Sequence, residues 1–183
     1  MSTQVETPPA DYGARVAAIH RELGIPQDYA ARHRLRLQPE AAHLESIGAD
    51  IFGRPQQMAA HAVEHWRAMQ ARAQQDEVLL LVVSAFRSLD YQRELMARKL
   101  AAGQRIEDIL KVNAAPGYSE HHSGCALDLT TADHNSLETS FETTQAFTWL
   151  SQQAVGFGFR LSYPRDNCHG IAYEPWHWAC MQE

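Results

Sequence analysis

The chain has 183 residues, 45% hydrophobic and 21% charged, an ordinary composition for a soluble globular protein and long enough to bury one substantial core. Its 16 Lys and Arg against 22 Asp and Glu give a net charge of −6, with no basic cluster that would neutralise a phosphate backbone, so nucleic acid is not an expected partner. No apolar run reaches the ~18 residues of a membrane span, and Met1 to Pro9 has neither a positive n-region nor an apolar h-region. The expectation is a cytoplasmic protein, or a periplasmic one if a leader has been removed.

Asp11 to Leu23 reads as a helix, with Asp11 as N-cap, Val16, Ile19 and Leu23 on one face and Gly24 as the stop. Residues 26–54 carry Pro26, Pro39, Gly48 and Gly53 and predict short elements and loops. From Gln56 to Gln74, Ala59, Val63, Trp66 and Ala73, flanked by Ala62 and Met69, form one buried helical stripe. We divide the chain into an N-terminal helical extension, 1–54, packed on a catalytic domain, 55–183, as one compact unit.

Glu77 to Ser84 is centred on the apolar run Val78-Leu79-Leu80-Leu81-Val82-Val83 and predicts a buried strand. Leu89 to Leu100 returns to helical spacing and ends near Gly103, which sets Arg87 at a strand-to-helix junction. A helix follows over Ile106 to Val112, a loop over Tyr118 to Gly124, a short strand over Cys125 to Thr130 and a helix over Phe141 to Val155. The polar stretch Thr130 to Thr144 reads as a mobile loop. Gly156 to Leu161 and Gly170 to Tyr173 read as strands of one hairpin or adjacent pair.

The residues that carry chemistry lie in two segments. In Ser119-Glu120-His121-His122-Ser123-Gly124-Cys125-Ala126-Leu127-Asp128, His121 falls on the loop and Asp128 on the strand it feeds. Alternation puts Ala126 and Asp128 on one face and Cys125, Leu127 and Leu129 on the other, so Asp128 can face a cleft while Cys125 serves as a small core residue. In Glu174-Pro175-Trp176-His177 the proline forbids a helix interior, so the pair is presented by an extended chain with a turn rather than by a helical His-Glu-x-x-His device. A catalytic zinc site takes three ligands from His, Asp and Glu, with an open fourth position and a carboxylate beside it. His121, Asp128 and His177 can be the ligands and Glu174 the base. Cys125, Cys168 and Cys180 contain no Cys-x-x-Cys pair, which suggests neither a structural zinc site nor a disulfide framework, and their odd number fits a reducing compartment.

The pattern Ser-x-His-x-x-Gly-x-Ala-x-Asp at 119–128, the segment Tyr173-Glu174-Pro175-Trp176-His177, and Ser84-Ala85-Phe86-Arg87-Ser88 followed by Tyr91-Gln92 occur in this order. With these motifs the chain, from about Leu79 to Trp178, resembles the VanY-type D-alanyl-D-alanine carboxypeptidases. These are zinc peptidases of the group that also includes lysostaphin-like enzymes and the hedgehog signalling domain.

The resemblance implies an α+β fold with a small antiparallel sheet packed against helices. It implies a zinc ion, Zn2+, held by His121, Asp128 and His177, with Glu174 activating water. It also implies substrate contacts from Arg87, Gln92 and Ser119. A guanidinium offers a fixed fork for a terminal carboxylate or a developing oxyanion, and the sequence leaves both roles open for Arg87. The implied activity is release of a C-terminal D-alanine from peptidoglycan stem peptides or muropeptides, with D,D- or L,D-specificity. A cytoplasmic D-Ala-D-Ala dipeptidase, a phage-type endolysin endopeptidase and a non-catalytic zinc-binding module stand as alternatives. His122 reads as an exposed loop residue, Trp176 and Trp178 as wall and core, and His169 before Gly170 either touches the pocket or is neutral.

Overall fold

A computed structural model describes residues 11–134 and 136–181; Met1 to Pro9, where no leader is expected, lies outside them. The first apolar stripe forms α1 (Tyr12–Leu23), which stops where Gly24 adopts φ 71°, a left-handed conformation that glycine takes at little cost. Asp11 precedes it, but its carboxylate accepts no capping hydrogen bond. Tyr12, Val16, Ile19 and Leu23, with Tyr29 of the short α2 (Tyr29–Arg32), pack on Leu89 and Met96 of α4 (Leu89–Ala101) and on Ile109 and Leu110 of α5 (Ile106–Val112).

A hairpin of β1 (Leu44–Ala49) and β2 (Pro55–Ala59) straddles residue 54 and leads directly into α3 (Ala60–Gln75). Residues 56–59, expected to be helical, are therefore strand. The backbone of β1 lies alongside them, and this long-range pairing overrides local spacing. The buried stripe itself is as expected: Ala59, Ala62, Val63, Trp66, Met69 and Ala73 are each at most 2% exposed and belong to the main core. The hairpin turn is tied together by Asp50, which accepts hydrogen bonds from the Phe52 and Arg54 amides and from the Arg54 and Gln56 side chains.

The second sheet has four antiparallel strands in the order β3 (Leu81–Ser84), β4 (Ala126–Thr130), β6 (His177–Cys180), β5 (Phe159–Leu161). Strand β3 begins later than its apolar run suggests. Leu81 faces Thr130, the last residue of β4, and Val78 instead donates to the Ala73 carbonyl of α3. The expected helix over 141–155 is divided. Thr144 accepts a hydrogen bond from the Phe147 amide and caps α6 (Gln145–Gln153), with 3-10 turns on either side at Thr139–Thr143 and Ala154–Phe157.

The sequence pairs Gly156–Leu161 with Gly170–Tyr173, but β5 lies against β6, and residues 170–173 are not strand. The Ala172 amide is taken by the Lys111 carbonyl at the end of α5, 2.7 Å away, so this segment has another partner.

Candidate active site

Three strands of the second sheet place the polar residues in one row. Ser84 on β3 is opposite Asp128 on β4, and Asp128 is opposite His177 on β6. His121 reaches the same point from the 3-10 turn Glu120–Ser123 that precedes β4. The turn closes at Gly124, with φ 69°, and a Cβ there would lie 2.6 Å from the Ala59 amide nitrogen. The glycine in this motif therefore meets both a left-handed backbone and a close approach to β2.

His121, Asp128 and His177 are all buried, and one candidate ligand atom from each lies within 4.8 Å of the others. The His121 Nδ1 is 2.5 Å from the Ala85 carbonyl, which fixes it as the protonated nitrogen, since a carbonyl only accepts. Its Nε2 lies 3.3 Å from Asp128 Oδ2 and is left without a hydrogen-bond partner although fully buried. His177 uses both nitrogens: Nδ1 is 3.1 Å from Asp128 Oδ1, and Nε2 is 2.9 Å from Glu120 Oε2. An orphaned imidazole nitrogen, a carboxylate and a second imidazole converging in this way are a donor set that suits zinc.

The electrostatics reflect the crowding. Burial pushes His121 down to about 4, with Arg87 adding to the effect, so its imidazole is neutral. Burial alone would lower His177 too, but hydrogen bonds to Asp128 and Glu120 push it up to about 10. Burial works to raise Asp128, yet the Arg87 guanidinium and the hydrogen bond with His177 hold it well below the usual carboxylate range. Glu174 is 9% exposed, and its carboxylate lies 3.9 Å from His177 Nδ1. Burial pushes it up to about 7, the range of a proton-transfer group near neutrality.

These residues line a cleft of about 290 Å³ together with Arg87, Gln92, Ser119, Lys99, Tyr163 and Trp176. Arg87 donates from Nε to Ser84 Oγ at 2.8 Å and from Nη2 to Asp128 Oδ2, so its fork is braced against the ligand row. Gln92 donates to the Ala114 carbonyl at 2.9 Å while its buried Oε1 lacks a partner. Ser119 is buried in the cleft wall. Trp176 is wall, and Trp178 is core, its indole donating to the Pro175 carbonyl.

His122 corrects the reading from sequence. It is fully buried, its Nδ1 lies 2.6 Å from the Arg87 carbonyl, and its Nε2 accepts from the Gly117 amide at 3.0 Å. A 3-10 turn places adjacent side chains on different sides, so one histidine faces the cleft while the next braces the backbone behind it. His169 does not line the cleft; its ring faces the His33 carbonyl at 2.9 Å.

Three further residues were not singled out from sequence. Glu120 holds His177, Tyr163 packs against its ring at a 39° tilt with centroids 4.8 Å apart, and Lys99 enters the cleft from α4. Only Lys99 had a readable signal, because it is seven residues, or two helical turns, beyond Gln92 on the same face.

The family model described as VanY, D-alanyl-D-alanine carboxypeptidase, matches residues 55–182. YodJ of Bacillus subtilis (strain 168), named as a carboxypeptidase, is 25% identical over 166 residues, covering 88% of this chain. The chain spans 58% of that relative's length.

Among solved structures, a mutant of the vancomycin-resistance D,D-pentapeptidase VanY in complex with Zn(II) superposes with a TM-score of 0.61 at 24% identity, over 79% of this chain and 83% of that one. The LdcB LD-carboxypeptidase superposes with a TM-score of 0.64 at 25% identity, over 85% and 68%.

Proposed function

The chain belongs to the VanY family of D-alanyl-D-alanine carboxypeptidases, and on that premise we propose that it is a zinc-dependent carboxypeptidase releasing a C-terminal D-alanine from peptidoglycan stem peptides or muropeptides. The observation that carries the reading is the convergence of the unpartnered His121 Nε2 with Asp128 and His177 Nδ1, beside the buried carboxylate of Glu174.

His121, through Nε2, Asp128, and His177, through Nδ1, are the residues that would hold the metal. Zinc held by such a set lowers the pKa of water to about 7 and polarises a carbonyl. The remaining work falls to the chain's own groups. Glu174 takes a proton from the attacking water and returns it to the leaving amine, a role supported by its elevated pKa. Glu120 orients His177 from the other side of the ring.

Arg87 binds the terminal carboxylate of the peptide or the developing oxyanion, and its brace on Ser84 and Asp128 fixes where the fork points. Gln92 Oε1 and Ser119 complete the substrate wall. Among the described residues no helix is long and apolar enough to cross a membrane.

The test is mass-spectrometric product analysis of the zinc-loaded protein with a pentapeptide stem, a tetrapeptide stem and D-Ala-D-Ala, using Glu174→Ala as control. Release of D-alanine by the native chain alone is expected, and the substrate consumed fastest separates D,D- from L,D-specificity. Internal cleavage of the stem, or no cleavage despite bound zinc, would overturn the proposal.

A further inference from the structure

The two strands that carry Asp128 and His177 also bring together two cysteines. The register that pairs Asp128 with His177 and Ala126 with Ala179 continues to Cys125 opposite Cys180, and the Cys180 amide donates to the Cys125 carbonyl at 2.8 Å. The Leu129 amide likewise donates to the Trp176 carbonyl and, since bonded positions recur every second residue, 125 and 180 occupy a hydrogen-bonded position of the ladder. There, opposite Cα atoms are about 5.5 Å apart, inside the ~4.4–6.8 Å range that a disulfide spans.

Each cysteine is an odd number of residues from the polar residue on its own strand. The pair therefore occupies the face of the sheet opposite Asp128 and His177. Both thiols are free and half-buried against the edge of the main core. His61, exposed on the first turn of α3, places Nε2 3.2 Å from the Cys125 sulfur.

We infer that Cys125 and Cys180 form a peroxide-reactive dithiol, a modification site separate from the metal centre, which closes to an intramolecular disulfide. The Cys125 thiolate attacks one oxygen of a hydroperoxide and the O–O bond breaks. The alkoxide or hydroxide that leaves takes up a proton, and Cys125 becomes a sulfenic acid. The Cys180 sulfur then attacks the Cys125 sulfur, the S–S bond forms and water departs with the thiol proton. Two electrons pass from the two sulfurs to the peroxide.

The order of attack follows from the surroundings. The His61 ring nitrogen, 3.2 Å from the Cys125 sulfur, favours a thiolate there, and no such contact reaches Cys180 among the described residues. Cys125 is thus the attacking group and Cys180 the resolving one. Closing the loop between them restrains the unfolded chain, so the oxidised form melts several degrees higher.

The test uses the full chain with Cys168→Ser, which leaves only the pair, treated after reduction with stoichiometric hydrogen peroxide. Thiol titration is expected to lose both groups, and peptide mapping to find one Cys125–Cys180 cross-link with a mass decrease of about 2 Da, reversed by dithiothreitol. Adding Cys180→Ser is expected to stop the reaction at a Cys125 sulfenic acid that dimedone traps, and His61→Ala to slow oxidation about tenfold at pH 7. Retained thiols, peroxide oxygens on Cys125 with no cross-link, or dimedone on Cys180 instead of Cys125 would each overturn the inference. These readouts are independent of peptidase activity.

Discussion

Asp128 and His177 stand directly opposite each other on β4 and β6, with Asp128 Oδ1 3.1 Å from His177 Nδ1. Backbone hydrogen bonds at 125/180 and 129/176 put the bonded positions of this ladder at the odd-numbered residues of β4, so 128/177 is a non-hydrogen-bonded position, where opposite side chains approach most closely. Two residues 49 positions apart in sequence are thereby fixed within reach of one ion by backbone register. The remaining ligand, His121, is brought in by the turn that opens β4.

Removing a ligand and removing the base should have different effects. His177→Ala is expected to lose both zinc and hydrolysis, while Glu174→Ala keeps zinc and loses hydrolysis by a factor of roughly 10²–10⁴. Metal content by inductively coupled plasma mass spectrometry, read beside the peptidase rate, separates the two. Equal zinc retention in both variants would remove His177 from the ligand set.

Glu120→Ala tests the support behind His177. Losing the 2.9 Å contact to Nε2 frees the ring to rotate, and the expected cost is about 10–100-fold in zinc affinity. Competition with a calibrated chelator measures it. Unchanged affinity would mean that the packing of Tyr163 against the ring is enough to hold it.

Arg87→Ala discriminates between two roles for the guanidinium. If Arg87 holds the terminal carboxylate, kcat/KM falls far more for free-acid peptides than for their C-terminal amides. An equal fall on both substrates assigns it to the oxyanion instead.

Two pH dependences follow from the buried groups. His177 in the metal-free protein keeps its proton up to about 10, so zinc must displace that proton, and apparent zinc affinity should rise as pH increases from 7 toward 10. Calorimetric titration in buffers of different ionisation enthalpy should detect the released proton. Glu174 acts in its ionised form and its pKa is raised to about 7, so kcat/KM should climb with pH on the acid side, with a midpoint below 7 once a cation sits beside it. A flat acid limb would contradict its role as base.

Gly124→Ala is expected to cost about 1–3 kcal/mol from its left-handed backbone alone, and more because the added methyl meets the Ala59 amide at 2.6 Å. Urea denaturation checks the stability. Zinc affinity should fall with it, since the turn that carries His121 ends at this residue.

Chain-local features were legible from the amino-acid order. The stripes of Tyr12–Leu23 and Ala60–Gln75, the α5 helix over Ile106–Val112 and the turn at Pro175 all arise from the spacing of side chains along one segment. The three motifs likewise named Arg87, Gln92, Ser119, His121, Asp128, Glu174 and His177, which all line the cleft, because each motif combines a backbone requirement with a donor. What depended on distant partners was not legible. Residues 56–59 became strand because β1 lies beside them, and β5 paired with β6 rather than with 170–173 because the Lys111 carbonyl holds Ala172. Which nitrogen of His121 is left open, the burial of His122 and the hold of Glu120 on His177 were decided by Ala85, Arg87 and the β6 strand. Spacing determines which face a side chain takes on its own element, whereas its hydrogen-bond partner is set by whichever element packs opposite, and only the tertiary structure specifies that.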